Sequence, residues 1–337
     1  MMHSPFSHSL GKTARFMLVP VLLPLLCMLA GTSLAGCAGR SSANVQVLID
    51  EAFSLIYPET ANLVLNEFSR PEAGGSRSTA LLAYPLESGQ MDARLGTASR
   101  DTGAIVIASP AAAGYAAQKA GSFKTSGIAL FAAPPEGPAP GWKLLSWKSR
   151  DTFRDLGKLA ALWANMQAAR GTFRGVSIVF ARGPGRTAED LAECIEAFRQ
   201  ALAVKERTVD EVLSVFDIDA MGIPGDRAEQ VQNAMRQAQS RSPGLLVLAA
   251  GSRRAFDAAC EWKDTLLAAD LRGLGIKIDA QKLYAAIGEN PKAILAALRI
   301  AVRTGLEHLD DSVLSVAPEL VLSRDAKTLL YSRPSTQ

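Results

Sequence analysis

Short apolar runs alternate with longer segments whose apolar positions recur every three or four residues through most of this chain. The short runs are rich in Val, Ile, Leu and Ala, which is typical of buried strands, and the longer segments have the period of amphipathic helices. The predicted strands are 45–50, 79–84, 104–108, 127–132, 143–147, 176–181, 212–216, 245–249, 265–269, 283–287 and 320–322. The predicted helices are 58–68, 91–99, 111–120, 152–170, 187–204, 226–240, 252–261 and 291–304.

The alternation of apolar runs with helices predicts a mainly parallel sheet that is covered on both faces. A Pro-rich segment at 133–140 interrupts the alternation, and a second series of strands and helices follows it. The predicted fold class is therefore α/β, with two doubly wound parallel-sheet lobes joined by a hinge.

The first 36 residues have the layout of a secretory signal. Lys12 and Arg15 form a basic start without acidic residues, the segment 16–30 is apolar, and small residues follow it. The apolar segment is too short to span a membrane, which takes about 20 residues, and two prolines interrupt it. We therefore interpret residues 1–36 as a signal peptide.

The segment Leu34-Ala35-Gly36-Cys37 resembles the lipobox of bacterial lipoproteins. The resemblance implies cleavage before Cys37, lipidation of its thiol and acylation of its new amino group. Several acyl chains anchor a protein stably, since each buried methylene adds about 0.8 kcal/mol. Residues 37–43 then form a lipidated tether, and the protein is expected on a bacterial cell membrane, facing the periplasm or the cell exterior. The sequence leaves open which membrane carries it.

The charge and the residue counts of the mature chain argue against several classes of function. Removal of the signal takes away two basic and no acidic residues, so the net charge falls from +3 to +1. This near-neutral charge argues against a nucleic-acid partner. His308 is the single histidine left, and no spacing of His, Cys and carboxylates predicts a metal site. We expect no catalytic residues and no cofactor, and therefore no enzyme.

Two further cysteines remain, Cys194 and Cys260. An extracytoplasmic location permits a disulfide between them, but two cysteines do not form a disulfide framework. Both lie on predicted helices among Ala and Glu, where small buried thiols are common. The sequence leaves the pairing open.

The order of elements after the lipobox resembles that of the type I periplasmic binding proteins, the solute receptors of ABC importers. Four segments (101–109, 152–162, 245–251 and 266–270) are similar to the basic-membrane-protein branch, whose ligands include purine nucleosides. The resemblance implies a monomer with a small-molecule ligand and an ABC permease as partner. It also implies an N-terminal lobe of 44–147 plus about 289–313 and a C-terminal lobe of 148–288 plus about 314–326.

Three positions depart from that branch. The loop 50–59 replaces a loop rich in Asp and Gly, Val247 stands where a base-stacking Phe is expected, and Pro291 stands near the expected basic residue. The same architecture serves lipoproteins that deliver riboflavin, a flat heterocycle with a polyol chain. We therefore favour riboflavin as the ligand, with a purine nucleoside next.

Ligands of open α/β sheets lie outside the carboxyl ends of the strands. Applied to both lobes, this rule selects side chains in the loops that follow the strands. The predicted ligand-binding residues are Asp50, Phe53, Tyr84, Ser109, Tyr115, Trp147, Arg253 and Asp270.

Each predicted ligand-binding role rests on a different argument. Asp270 resembles the carboxylate that accepts two sugar hydroxyls in the branch, but an N-cap or turn residue before 271–273 is an equal alternative. The aromatic residues offer faces for stacking on a flat ring, worth about 0.5–1.5 kcal/mol each. Arg253 begins a predicted helix and is either a ligand contact or a solvated surface residue. The turn 183–187 is either an anion site or a plain strand–helix connection.

The sequence thus favours a lipid-anchored solute-binding receptor of an ABC importer, closing its lobes around a small heteroaromatic polyol or nucleoside. A first alternative is a degenerate binding-fold lipoprotein with a structural or protein-interaction role, because the first loop and the stacking position are altered. A second alternative is a carbohydrate hydrolase that uses two carboxylates.

Overall fold

The computed structural model describes residues 44–68, 80–82, 88–101, 103–131, 140–182, 188–221, 226–276 and 283–331. They belong to one compact unit, 43–337. The predicted signal peptide, Cys37, the tether and Tyr84 lie outside the described residues. Within the described ranges, every helix is too short or too polar to cross a membrane.

Six strands within the described ranges form the first sheet, and all paired neighbours run parallel. The strands are β1 (Val45–Asp50), β2 (Ala80–Leu82), β3 (Ile105–Ala108), β4 (Ser126–Leu130), β5 (Trp142–Trp147) and β11 (Val313–Val316). Their order across the sheet is β11-β5-β4-β3-β1-β2. The order reverses next to β1, as in doubly wound folds.

The second sheet also has six strands in the described part of the chain. They are β6 (Val176–Phe180), β7 (Leu213–Asp217), β8 (Leu245–Ala249), β9 (Leu266–Asp270), β10 (Ala285–Gly288) and β12 (Glu319–Leu322). The order is β12-β10-β9-β8-β6-β7, and only β12 runs antiparallel to its neighbour within these strands. The predicted α/β class with two parallel-sheet lobes is confirmed.

Helices connect the strands and cover both faces of each sheet. They are α1 (Glu51–Ile56), α2 (Pro58–Phe68), α3 (Ser88–Arg100), α4 (Pro110–Gln118), α5 (Arg150–Ala169), α6 (Ala188–Ala201), α7 (Val209–Val212), α8 (Arg227–Ser240), α9 (Arg253–Cys260), α10 (Pro291–Thr304) and α11 (Arg324–Tyr331). A 3₁₀ turn, Leu306–His308, follows α10.

Each sheet separates two hydrophobic cores. In the first lobe α1, α2 and α10 pack on one face, and α3 and α4 on the other. In the second lobe α5, α6 and α11 cover one face, and α8 and α9 the other. The central strands are buried on both faces, which explains why they read as continuous apolar runs in the sequence.

The chain crosses between the two sheets three times. It crosses from β5 to α5 at 148–149, from β10 to α10 at 289–290, and from β11 to β12 at 317–318. The third crossing lies beyond the expected position near 314, because β11 pairs with β5 in the first sheet. Three adjacent connections of this kind are the covalent basis of a hinge between two lobes.

The sequence pattern does not predict α1, α7, β11 or α11. The segment of α1 was expected to be a loop, but Asp50 caps its first turn by accepting a hydrogen bond from the Phe53 amide. A helix of six residues is too short to show an amphipathic period. The strand β11 has Val313 exposed and Val316 buried at the edge of its sheet, so it lacks a continuous apolar run.

No disulfide joins Cys194 to Cys260. Cys194 is buried on α6 and Cys260 is exposed at the end of α9. These helices cover opposite faces of the second sheet, so the sheet itself separates the two thiols.

Candidate functional site

Four of the predicted residues lie at the carboxyl ends of strands. Asp50, Trp147 and Asp270 are the last residues of β1, β5 and β9, and Ser109 directly follows β3. All four side chains are buried. This edge of each sheet is where α/β proteins of this topology bind ligands.

Asp50 and Ser109 connect the ends of two neighbouring strands. One carboxylate oxygen of Asp50 accepts from the Phe53 amide at 2.8 Å, and the other accepts from the Ser109 hydroxyl at 2.5 Å. Both oxygens of the Asp50 carboxylate therefore have protein donors. In this arrangement the pair positions α1 at the end of β1.

Four aromatic side chains form a continuous ladder in the first lobe: Phe53, Tyr57, Phe131 and Trp147. Ring centres of Phe53 and Tyr57 are 5.1 Å apart, as are those of Tyr57 and Phe131. Phe131 stacks on Trp147 with centres 4.3 Å apart and planes within 4°. The ladder is buried, and it extends from α1 to the carboxyl end of β5.

Phe131 takes its place in the ladder through an unusual backbone conformation. Its φ is 50°, in the left-handed region that residues with a Cβ seldom adopt. Phe131 follows β4 directly, and its amide donates to the Leu145 carbonyl at 2.8 Å. The conformation turns the chain at the end of β4 while the ring remains buried in the ladder.

Arg272 is a cation enclosed between the lobes. Its side chain is 1% exposed, and it donates to both oxygens of Asp270, at 3.0 and 2.6 Å. A further N–H donates to the Ser149 hydroxyl at 2.8 Å, in the first crossing between the sheets. Burial lowers the pKa of the Arg272 guanidinium, the Asp270 charge raises it, and the net shift is upward. Arg272 therefore stays charged.

Trp147 brings the ladder into contact with this cation. The guanidinium carbon of Arg272 lies 5.0 Å from the centre of the Trp147 ring, within the range of cation–π attraction. A cavity of about 10 Å³, enough for about one water, is lined by Trp147, Ser149, Cys194 and Arg272 among others. The Trp147 indole N–H is buried and has no hydrogen-bond partner among the described residues.

The segment 271–276 of the second lobe touches α1 of the first lobe. The Gly275 amide donates to the Ile56 carbonyl at 3.2 Å. A Cβ at Gly275 would lie 2.3 Å from the Leu55 carbonyl oxygen, and one at Gly273 would lie 3.1 Å from the Tyr57 hydroxyl. The lobes thus meet by direct backbone contact in this part of the cleft.

Glu289 links the second crossing to the first lobe. Its carboxylate accepts from the Thr60 amide at 2.9 Å and from the Thr60 hydroxyl at 2.5 Å, at the start of α2. Burial raises the pKa of Glu289 most, the bonds from Thr60 lower it, and Glu59 raises it, with a net upward shift.

The remaining predicted site residues lie apart from this cluster or outside the described residues. Tyr115 donates to Asp92 at 2.8 Å and packs at the edge of the α3–α4 core. Arg253 is exposed on α9 and pairs with Asp257 at 3.2 Å. Tyr84 and the turn 183–187 fall on residues that the structure does not describe.

Asp270 is held by Arg272, two residues further along the chain. Both of its oxygens are engaged by that guanidinium, so accepting two sugar hydroxyls would require Arg272 to move. A backbone bond from the Arg272 amide to Asp270, at 3.2 Å, also matches the predicted turn alternative. The ligand role of Asp270 stays a prediction.

Four residues of this cluster were not predicted from the sequence: Phe131, Ser149, Arg272 and Glu289. Each lies within two residues of the carboxyl end of a strand in the structure, which is the kind of position that selected the other candidates. Arg272 carried one further signal, a cation two residues after the proposed ligand carboxylate. Among the described residues, no group of three His, Cys, Asp or Glu side chains is placed to hold a metal ion.

No protein-family model matches this chain, and no curated protein matches it. Solved structures do. A solute-binding protein of an ABC transporter system from Aeropyrum pernix K1 superposes with a TM-score of 0.50 at 14% identity, covering 82% of this chain and 76% of that one. The fold is that of the type I periplasmic binding proteins.

Two further neighbours of the periplasmic-binding-protein fold have lower scores. The Cra transcriptional dual regulator from Pseudomonas putida, in complex with fructose 1-phosphate, has 16% identity and a TM-score of 0.49, covering 83% and 98% of the two chains. An ABC sugar transporter subunit from Rhodobacter sphaeroides 2.4.1 has 12% identity and a TM-score of 0.42, with the same coverages.

Proposed function

We propose that this chain is a lipid-anchored solute-binding receptor of an ABC importer. The observation that carries the proposal is the position of Trp147, at the carboxyl end of β5, facing a charged side chain of the other lobe. Small-molecule sites occur preferentially at domain interfaces, and the contact of Trp147 with Arg272 of the other lobe supports a role for Trp147 in such a site.

Trp147 has the chemistry to hold a flat heterocycle. When the lobes separate, Arg272 leaves with the second lobe and one region of the Trp147 ring becomes available for stacking. The Phe131 ring supports it from within the first lobe. The indole N–H, which has no partner among the described residues, can then donate to an acceptor atom of the solute.

The cluster also offers groups for a polyol. Ser149 and the Asp270 carboxylate lie beside Arg272, and each can exchange its bond to Arg272 for one to a solute hydroxyl. A flat ring joined to a polyol uses both kinds of group at once. We therefore favour riboflavin as the solute and a purine nucleoside next.

The lipid anchor and the permease partner are part of the same proposal. The lipobox-like segment 34–37 supports anchoring at the outer face of a bacterial membrane. A tethered receptor remains close to a membrane permease, which raises its effective concentration there.

The first experiment uses residues 38–337, which contain the whole compact unit 43–337. The protein is purified without refolding, and its visible absorbance and native mass spectrum are recorded. Blue-region flavin bands or a bound small-molecule mass support the receptor proposal and identify the solute. A bound solute that is lost in Trp147→Leu but kept in Trp262→Phe assigns it to the cleft, because Trp262 packs beneath α9 on the far face of the second sheet.

A second candidate function is a structural or protein-interaction role. It is favoured by one observation: the described part of the cleft is occupied by the chain's own side chains, Tyr57, Trp147 and Arg272, all buried. A protein that purifies without solute, and whose melting temperature no flavin, nucleoside or sugar raises, would support this candidate and contradict the receptor proposal.

A further inference from the structure

The contact between the lobes is built from groups that fit only at short range. Gly275 has a φ of +64° and approaches the Leu55 carbonyl so closely that any larger residue would collide with it. The hydrogen bond from the Gly275 amide to the Ile56 carbonyl crosses the same contact. This contact exists only while α1 and the segment 271–276 lie against each other.

The buried cation depends on the same arrangement. A guanidinium that is removed from water is costly unless its charge and its N–H groups are all matched. Here Asp270 supplies the opposite charge, Ser149 accepts a further N–H, and Trp147 supplies a ring face. Trp147 belongs to the first lobe and Asp270 to the second, so these partners surround Arg272 together only when the lobes are together.

We propose that the chain's own side chains hold the two lobes closed in the absence of a solute. The groups that do so are Trp147, Ser149, Asp270 and Arg272, which we call the latch, together with the glycine contact at Gly275. The proposal goes beyond the solute-binding role, because it concerns the protein without a solute and holds whichever function the cleft serves.

Two consequences follow from a closed ground state. A solute can bind only to molecules whose lobes are open. Because few molecules are open, the apparent association rate of the solute is reduced. A partner that recognises the closed surface binds it without a solute. The latch thus makes partner recognition independent of solute loading.

The experiment measures the distance between the lobes directly. Spin labels are attached to cysteines introduced at Gln118 on α4 and Gln237 on α8, both exposed and one on each lobe. Residues 38–337 are used with Cys260→Ser, and the protein is refolded from guanidinium chloride to remove any solute. The expected result is a single, narrow distribution of distances, dominated by the closed arrangement.

Two glycine variants test whether the contact at Gly275 helps to hold the lobes closed. Gly275→Ala places a Cβ against the Leu55 carbonyl and should shift the distribution by several ångströms to longer distances. Gly171→Ala is the matched control, because Gly171 has a similar φ of +67° and open space around its missing Cβ. The control pays the same backbone strain and should leave the distances unchanged.

The latch itself is tested by Arg272→Met and by the double variant Asp270→Asn with Arg272→Met, which leaves no unpaired charge if the single variant fails to fold. Longer distances in either variant support the latch. A broad or long distribution in the unmodified protein would overturn it, as would unchanged distances in Gly275→Ala and the double variant. Solute binding is read separately by native mass spectrometry, so either proposal can fail alone.

Discussion

The guanidinium of Arg272 lies 5.0 Å from the centre of the Trp147 ring, although Trp147 ends β5 of the first sheet and Arg272 follows β9 of the second sheet by two residues. Their contact connects the buried ion pair of the second lobe to the aromatic ladder of the first. The Arg272 side chain therefore contacts both lobes, and substitutions at single positions can test how much each contact stabilises the protein.

The ion pair between Arg272 and Asp270 should be strongly coupled. Both side chains are 1% exposed, so Arg272→Met leaves the Asp270 carboxylate buried without its partner. Loss of one member of such a pair costs about 3–5 kcal/mol. We expect urea unfolding to show a loss of this size for Arg272→Met.

The double variant, Asp270→Asn with Arg272→Met, is the control for this prediction. It removes both charges, so it should lose clearly less stability than the single variant. A single variant that costs under about 1 kcal/mol would show that the pair is not desolvated as the structure indicates.

Removal of the Tyr284 hydroxyl should leave the protein at least as stable as the parent. Tyr284 is 7% exposed, and its hydroxyl has no hydrogen-bond partner among the described residues. Burial, and to a smaller extent the charge of Asp325, raises the pKa of Tyr284 to about 12. An unpaired buried hydroxyl costs about 1–3 kcal/mol. Tyr284→Phe should therefore be neutral or stabilising by about 1 kcal/mol in thermal unfolding.

Tyr115→Phe is the control, because removal of its hydroxyl should change stability in the opposite direction. Tyr115 donates to the Asp92 carboxylate at 2.8 Å, so its hydroxyl is satisfied, and its loss should lower the melting temperature slightly. A destabilised Tyr284→Phe would mean that its hydroxyl is bonded in solution.

Glu289 should make stability depend on pH in a specific direction. Because the pKa of Glu289 is raised in the folded chain, the folded state binds its proton more tightly than the unfolded state does. This contribution is fully present below the ordinary glutamate value of about 4.3. It is lost as the pH rises through the raised value.

Glu289→Gln removes this titration, and its amide oxygen can still accept the bonds from Thr60. The free energy of unfolding at pH 5 and pH 8, measured with urea, should change less between the two pH values in the variant than in the parent. An equal pH dependence in both proteins would contradict the assignment.

Cys37 should carry the lipid. Cys37→Ser removes the thiol, so the intact mass of the protein from bacterial membranes should lose its acyl groups, and residues 1–36 should not be removed at this site. Cys27→Ser, within the apolar segment, is the control and should leave the mature mass unchanged. An acylated Cys37→Ser protein would refute the lipobox interpretation.

The buried strands of both lobes could be predicted from the local sequence pattern. Residues 245–249 are buried on both faces, so burial imposes an unbroken apolar run that can be read from the sequence. The strands at 176–180 and 45–50 are also mostly apolar, and their burial made them predictable although each contains polar residues. Asp50 and Ser109 were found because the carboxyl end of a strand is a position defined by the strand itself.

Other elements have no such local signal. The edge strand β11 is half-exposed, and α1 has six residues with one buried side chain, Phe53. Both exist because of partners far along the chain: β5 for β11, and Gly275 and the aromatic ladder for α1. Their stability comes from packing rather than from propensity.

The sequence by itself determined the α/β class, the two series of strands and the residues at the strand ends, because burial on both faces of a sheet dictates composition locally. Only the tertiary structure decided that Asp270 faces Arg272, that Phe131 supports Trp147, and that Gly275 meets Leu55. The contacts of Phe131 and Gly275 join separate strands or lobes, and the local pair of Asp270 and Arg272 is enclosed against Trp147 of the other lobe. The free energy of a buried charge or ring depends on such neighbours, which no local pattern specifies.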